Sequence, residues 1–361
     1  MITIPVSELL RFMPIARHIK ASNRLPIYSY VKLACEKDAG TFYKSNSDSF
    51  VVCPVRLKSK EPITILLDEL SFFGFISQCE EEFATITIDG NKAKMVCGSK
   101  KGSCQTVDPD HYPMIQERGD GAQVELDTEV LSALSLAKAH VLQEKDKAMR
   151  AWNTFVHIAK HKEYYYIAAF NGFTAYIQKF KTELPVMVLD AETISVISKR
   201  ERVVYSQAGN YDIFDFGDAI YGFIKAEQKV VPMDKVLENF GNAENYFCVD
   251  RKKMVAFCEW VISISSSNIP PTVLVSDGKN GSIQINYDGM LGESAEEIVG
   301  VEDKKKGFQK LQFQPKNLLL TMRELSYDKV IISHNFPTIV IKTPEDESYT
   351  GAIIEVEPLK N

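Results

Sequence analysis

Apolar positions along the chain fall into a pattern that recurs six times, about every sixty residues. Each recurrence is a short apolar strand, a polar or proline break, and then apolar residues at helical spacing. The predicted helix starts are Ser7, Asp68, Asp127, Asp190, Asp250 and Pro315, with helices over 7–20, 68–79, 127–142, 190–200, 250–264 and 315–326. Serine and aspartate suit the first cap because a side-chain oxygen can accept from an unpaired helix N–H, and proline suits the first turn. The buried faces read Leu9, Leu10, Met13, Ile19 in the first helix, Val130, Leu131, Leu134, Val141 in the third, and Met254, Val255, Cys258, Val261 in the fifth.

Between the helices lie stretches that alternate apolar and polar residues, among them ATITIDGNKAKMVCG, VVYSQAGNYDIFDFGDAIYGFI, TVLVSDGKNGSIQINY and KVIISHNFPTIVIKT. Turn pairs such as Asp89-Gly90, Ala208-Gly209 and Asn280-Gly281 break them, so antiparallel meanders with one buried face are expected. The fold class is α+β, with helices layered on sheets. The six units pair into three longer ones. This predicts domains over 1–118, 122–241 and 245–361, separated by the polar, Gly- or Asn-rich stretches 116–123 and 238–245. Stacked copies of one unit point to an arc or ring rather than a pocketed enzyme.

Composition changes this picture little. The chain has 361 residues, 45% apolar and 25% charged, as soluble globular proteins do. It has no apolar run near the length of a membrane helix and no secretory start, so a cytoplasmic location is expected. Seven scattered cysteines form no C-x-x-C pair and read as reduced core residues. The net charge is −6, yet the six helical segments hold 11 basic against 10 acidic residues. A local basic face thus remains open.

Signals for catalysis are weak. There is no G-x-x-x-x-G-K-[ST], G-x-G-x-x-G or G-x-S-x-G. His157 and His161 have a metal-helix spacing, but their surroundings alternate like a strand, which removes the helical ligand geometry. Glu80, Glu81 and Glu82 read as a solvated turn, and Cys104 has no base that the sequence shows. No catalytic residue, metal or cofactor is expected.

Several local stretches together resemble the bacterial DNA polymerase III beta subunit, the sliding clamp family. They are Leu25-Pro26-Ile27, Thr106 to Pro113, Gly217-Asp218 with Ile220 and Tyr221 followed by Pro232, Ala295-Glu296-Glu297-Ile298, and the tail Val356 to Asn361. The resemblance covers essentially the whole chain. It implies three tandem DNA-clamp domains, each a doubled strand-helix-meander unit, making half of a pseudo-six-fold ring. Its function would be that of a non-catalytic processivity factor: a head-to-tail homodimer that encircles double-stranded DNA and tethers a DNA polymerase. Clamp-loader subunits would also bind it through short peptide motifs. DNA held without sequence reading needs phosphate contacts, for which the resemblance offers Lys20, Arg24, Lys147, Arg150, Lys199 and Arg200.

The resemblance also implies a partner-peptide groove. Its members would be Trp152, Asn153, Phe170, Gly172, Phe173, Thr174, Ala175, Pro232, Lys235, Val236, Val356, Pro358 and Leu359. Here the family's T-D-G-H-R-L stretch reads Phe170-Asn171-Gly172-Phe173-Thr174-Ala175, so a His and an Arg are lost and two Phe gained. At the implied dimer interface, Gly102 and Cys104 stand where the family has bulky apolar residues, opposite Ile262 and Ile264. A dimer weaker than typical is expected. An alternative of another class is a clamp-like interaction scaffold with weakened ring closure.

Overall fold

Seven α-helices occur among the described residues: α1 (Val6–Ala16), α2 (Glu69–Ile76), α3 (Thr128–Lys138), α4 (Ala191–Ile197), α5 (Met233–Asn239), α6 (Arg251–Ile264) and α7 (Pro315–Met322). The computed structural model describes the chain apart from residues 21–24, 114, 116–121, 143–150, 241–244, 266–269, 290, 305–309, 336 and 356–361, and apart from the side chains of 151, 245, 303, 304 and 335. Six of the helices are those of the predicted repeat. Asp68, Asp190 and Asp250 cap α2, α4 and α6, accepting from the N–H groups of Ser71 at 2.9 Å, Thr193 at 2.6 Å and Lys253 at 3.1 Å. Pro315 is the first residue of α7.

Ser7 is a correction. α1 begins one residue earlier, after Pro5, and the Val6 N–H is satisfied by the Glu82 carbonyl at 2.9 Å instead of by a serine. Helices α1 and α3 also stop before their predicted ends. Beyond Ala16 and Lys138 the chain tightens into i→i−3 bonds, His18 to Ile15 and His140 to Ala137, as helix ends do when their last carbonyls need partners. The seventh helix, α5, lies outside the repeat and takes up Glu238 and Asn239, which the sequence had assigned to a linker.

Four antiparallel sheets carry the helices. The alternating stretches form the expected meanders. Val203–Ala208, Tyr211–Asp215 and Ile220–Ile224 pair in order, as do Val273–Asp277, Ser282–Asp288 and Ser294–Gly300. The hairpin between Val273–Asp277 and Ser282–Asp288 closes through the loop residues 279–281, where Asn280 and Gly281 take positive φ, 55° and 71°, a region that asparagine and glycine tolerate best.

The chain divides into two compact units, residues 1–128 with 199–226, and residues 129–198 with 227–361. Strand pairing between distant segments explains the division. In the first unit Ile220–Phe223 pairs with Ser49–Val52, building a sheet of eight strands. In the second, Thr174–Gln178 pairs with Tyr349–Ile353, building a sheet of nine. The core of the first unit beneath α1 and α2 is aromatic, with Phe12 stacked on Phe42 at 4.8 Å and Phe73 at its edge. All seven cysteines are buried and free.

Candidate functional site

The second unit holds an open cleft of about 710 Å³. Its floor is the paired strands Thr174–Phe180 and Tyr349–Ile354, contributing Thr174, Ala175, Ala352, Ile353 and Ile354. One wall is α5 with the residues before it, Val231 and Pro232. The opposite lip is the 3-10 turn Ala151–Thr154 together with the loop 170–173. Beneath α5 lies an apolar cluster of Ala159, Tyr166, Ala168, Ile177, Val231 and Met233.

Local sequence shapes the lip. Gly172 has φ 87°, a conformation that favours glycine. Beside it the Asn171 side-chain oxygen accepts from the N–H groups of Phe173 at 2.9 Å and Thr174 at 2.7 Å. This turn holds the Phe173 ring outward, 52% exposed, at the mouth of the cleft. Thr174 turns inward and meets His140 Nδ1 at 2.9 Å. Burial drives the His140 imidazole down to about 4, against a hydrogen bond with the Leu320 backbone that favours the charged form, so the ring is neutral near pH 7.

All ten groove residues predicted on the described part of the chain line this one cleft: Trp152, Asn153, Phe170, Gly172, Phe173, Thr174, Ala175, Pro232, Lys235 and Val236. Val356, Pro358 and Leu359 lie outside the described residues. The sequence missed Val231, Glu238, Asn239, Phe240, Pro337, Thr338, Ala352, Ile353 and Ile354. Their signal was tertiary, since strand pairing brings 352–354 beside 173–175. Among the described lining residues only Lys235 and Glu238 carry formal charge. The cleft can therefore bind by burying apolar anchors.

Three of the six predicted basic residues lie on the described part of the chain. Lys20 and Lys199 are exposed. Arg200 is half-buried and already engaged, 3.5 Å from Asp218 with its guanidinium 4.7 Å over the Phe216 ring. Arg24, Lys147 and Arg150 lie outside the described residues. Further exposed cations that the sequence did not single out are Lys252 and Lys253 on α6, Lys316 on α7 and Arg323 just past its end. Two of these are paired, Lys252 with Asp328 at 3.0 Å and Arg323 with Glu259 at 3.4 Å.

At the predicted interface, the strand Lys100–Gln105 is the outer strand of its five-stranded sheet. A Cβ on Gly102 would sit 2.8 Å from Phe75 Cδ2, so the glycine lets that ring close over the strand. Cys104 faces the interior, with its thiol pushed up to about 11 by burial. It offers a partner only its backbone. Ile262 and Ile264 are half-buried near the end of α6, and Ile262 lines a second cavity of about 630 Å³ with Leu319, Leu320 and His140. The outer strand Ser294–Gly300 carries Ile298, 68% exposed, which the sequence reading did not assign to an interface. No group of metal-binding side chains occurs among the described residues. His157 is buried and His161 sits at the strand end.

The chain has the sliding-clamp fold. Its structure is similar to the DNA polymerase sliding clamp from Bacillus subtilis, with a TM-score of 0.86 at 15% identity over 99% of both chains. It is also similar to the DNA polymerase III subunit beta from Pseudomonas aeruginosa, with a TM-score of 0.84 at 15% identity, covering 99% of this chain and 100% of that one. The beta subunit from the DNA polymerase of Streptococcus pyogenes matches with a TM-score of 0.84 at 17% identity over 98% and 99%. The sequence matches no protein-family model and no curated protein.

Proposed function

We propose that this protein is a non-catalytic DNA sliding clamp. The observation that carries the reading is a coincidence of fold and site: the chain follows sliding clamps from end to end, and the positions that the resemblance assigns to a partner groove meet in one open apolar cleft. The proposed organisation is three domains, 1–118, 122–241 and 245–361, with two copies closing head to tail around duplex DNA. A DNA polymerase and clamp-loader subunits would dock short apolar-anchored segments in the cleft, with Val356, Pro358 and Leu359 completing it. Lys20, Arg24, Lys147, Arg150, Lys199 and Arg200 would hold phosphates without reading bases, in the cytoplasm.

Closure would pair the outer strand Lys100–Gln105 of one copy with Ser294–Gly300 of the next, since an unpaired sheet edge is a template for another strand. Gly102, Cys104, Ile262 and Ile264 are the interface residues in this reading. The missing bulky side chains at 102 and 104 would weaken the dimer by about 1–3 kcal/mol each.

The test is topological. The protein is loaded onto circular primed DNA with a clamp loader, and retention is measured before and after linearisation. Retention lost on linearisation supports the clamp. Equal retention on circular and linear DNA, or none on either, overturns it.

A further inference from the structure

His157 does not line the cleft, yet it contacts the backbone of two residues that do, Trp152 and Val231. It lies on the strand Val156–His161 and is 0% exposed. Side chains two apart on a strand share a face, so His157 shares the face of Ala159, within the apolar cluster beneath α5. An imidazole buried among such neighbours is costly unless its nitrogens are hydrogen-bonded. Both are. Nε2 lies 2.9 Å from the Trp152 carbonyl, and Nδ1 accepts from the Val231 N–H at 3.4 Å. A carbonyl only accepts and an amide N–H only donates, so the ring must be neutral with its proton on Nε2. Burial holds its pKa below the usual histidine value, consistent with that state.

The two backbone groups belong to opposite sides of the cleft. Trp152 is on the lip formed by Ala151–Thr154, and Val231 leads into α5 through Pro232. We infer that His157 is a positioning residue for the cleft: its ring is a strut that sets the Trp152 lip against the start of α5. This rests on the reading of the cleft as a partner groove. It assigns the histidine to neither metal nor catalysis. No partner need touch His157; it would act by holding Trp152 and Val231 at the spacing that apolar anchors meet.

Amide side chains can replace one bond at a time. Glutamine places a donor near the position of Nε2 and can keep the Trp152 link. Asparagine places an acceptor near Nδ1 and can keep the Val231 link. Leucine keeps neither. The chain has two tryptophans, so a Trp260→Phe background leaves Trp152 as the single tryptophan reporter. In that background, full-length His157→Gln, His157→Asn and His157→Leu are compared by iodide quenching of Trp152 and by binding of an end-labelled hexapeptide with leucine and phenylalanine anchors.

The expected result is that Trp152 becomes about twofold more quenchable in the Leu and Asn variants and returns to its original level in the Gln variant. Peptide affinity should fall about tenfold with Leu, the scale of losing one or two buried hydrogen bonds, and recover largely with Gln. Equal quenching in the Gln and Asn variants overturns the inference, and that pair decides it even if the Leu variant does not fold. Quenching that follows the expected order while the peptide fails to bind the unsubstituted protein overturns the groove reading and leaves the strut in place.

Discussion

Each compact unit contains a long-range strand seam, Ser49–Val52 with Ile220–Phe223 in the first and Thr174–Gln178 with Tyr349–Ile353 in the second, and the two seams differ in what lies over them. In the first unit Phe50 pairs across the seam with Gly222. A Cβ at Gly222 would lie 2.3 Å from Phe50 Cζ, so the ring occupies the space that the glycine leaves. Phe50, Val52, Ala208 and Ile213 then form a closed cluster, with Tyr211 edge-on to Phe50 at 5.4 Å. In the second unit Tyr176 pairs with Gly351, and again an aromatic residue stands opposite a glycine. Here the strand ends continue into an open cleft, and the Phe173 ring beside the seam points out at its mouth. The registers are alike but the packing is not: the space beside Gly222 is filled by the facing Phe50 ring, whereas the space beside Gly351 is filled by Thr321 and by Tyr349 of its own strand, and that second seam runs on into the open cleft.

This contrast can be broken by experiment. Phe50→Ala should cost about 3–5 kcal/mol, as removal of a buried ring does, measured by urea denaturation. A loss below about 1 kcal/mol would mean that the first seam is not the packed one. The next largest effect is acid destabilisation of the second seam, where Thr174 meets His140. The folded state holds His140 down at about 4, whereas its unfolded value is near 6.5. The unfolded chain therefore binds the extra proton between these values. The stabilisation is complete above about pH 6.5 and is lost as pH falls toward 4, by about 3 kcal/mol. Thermal melts across this range should show the slope, and His140→Gln should flatten it. The paired residues of the first seam include no histidine.

Gly222→Ala should cost about 1–3 kcal/mol by overpacking against Phe50. Gly351→Ala should cost a similar amount, because a Cβ there meets Thr321 Cγ2 at 2.3 Å. A large difference between the two melts would show that the seams are not equivalent in packing at their glycines. The smallest effect on stability is expected from Phe173→Ala, within about 0.5 kcal/mol, because the ring is half in solvent. The same substitution should weaken binding of an apolar-anchored peptide by about tenfold, as loss of an interface anchor does. A stability loss equal to that of Phe50→Ala would erase the distinction between filled seam and open cleft.

Much of the local structure was legible because its causes are local. Asp68, Asp190 and Asp250 cap helices through atoms three residues away, and Asn280-Gly281 makes its turn by itself. The groove residues were legible only through the family resemblance, since nothing in FNGFTA alone says that Phe173 faces outward. α5 escaped the repeat because a loop after Ile224, rather than a short apolar strand and a capping residue, leads into Met233–Asn239. Arg200 read as a free helix-end cation. Its engagement with Asp218 and Phe216 depends on a turn nearly twenty residues away.

By itself the sequence determined the repeated strand–helix units, the caps and turns that bound them, and the meanders between, because these follow from periodicity and hydrogen bonds within a few residues. The tertiary structure alone decided that Ser49–Val52 pairs with Ile220–Phe223 and Thr174–Gln178 with Tyr349–Ile353. It also decided that one join is filled and the other left as a cleft, and that His157 spans the two sides of that cleft. Strand edges carry no address for a partner more than a hundred residues away; packing of the whole chain selects it.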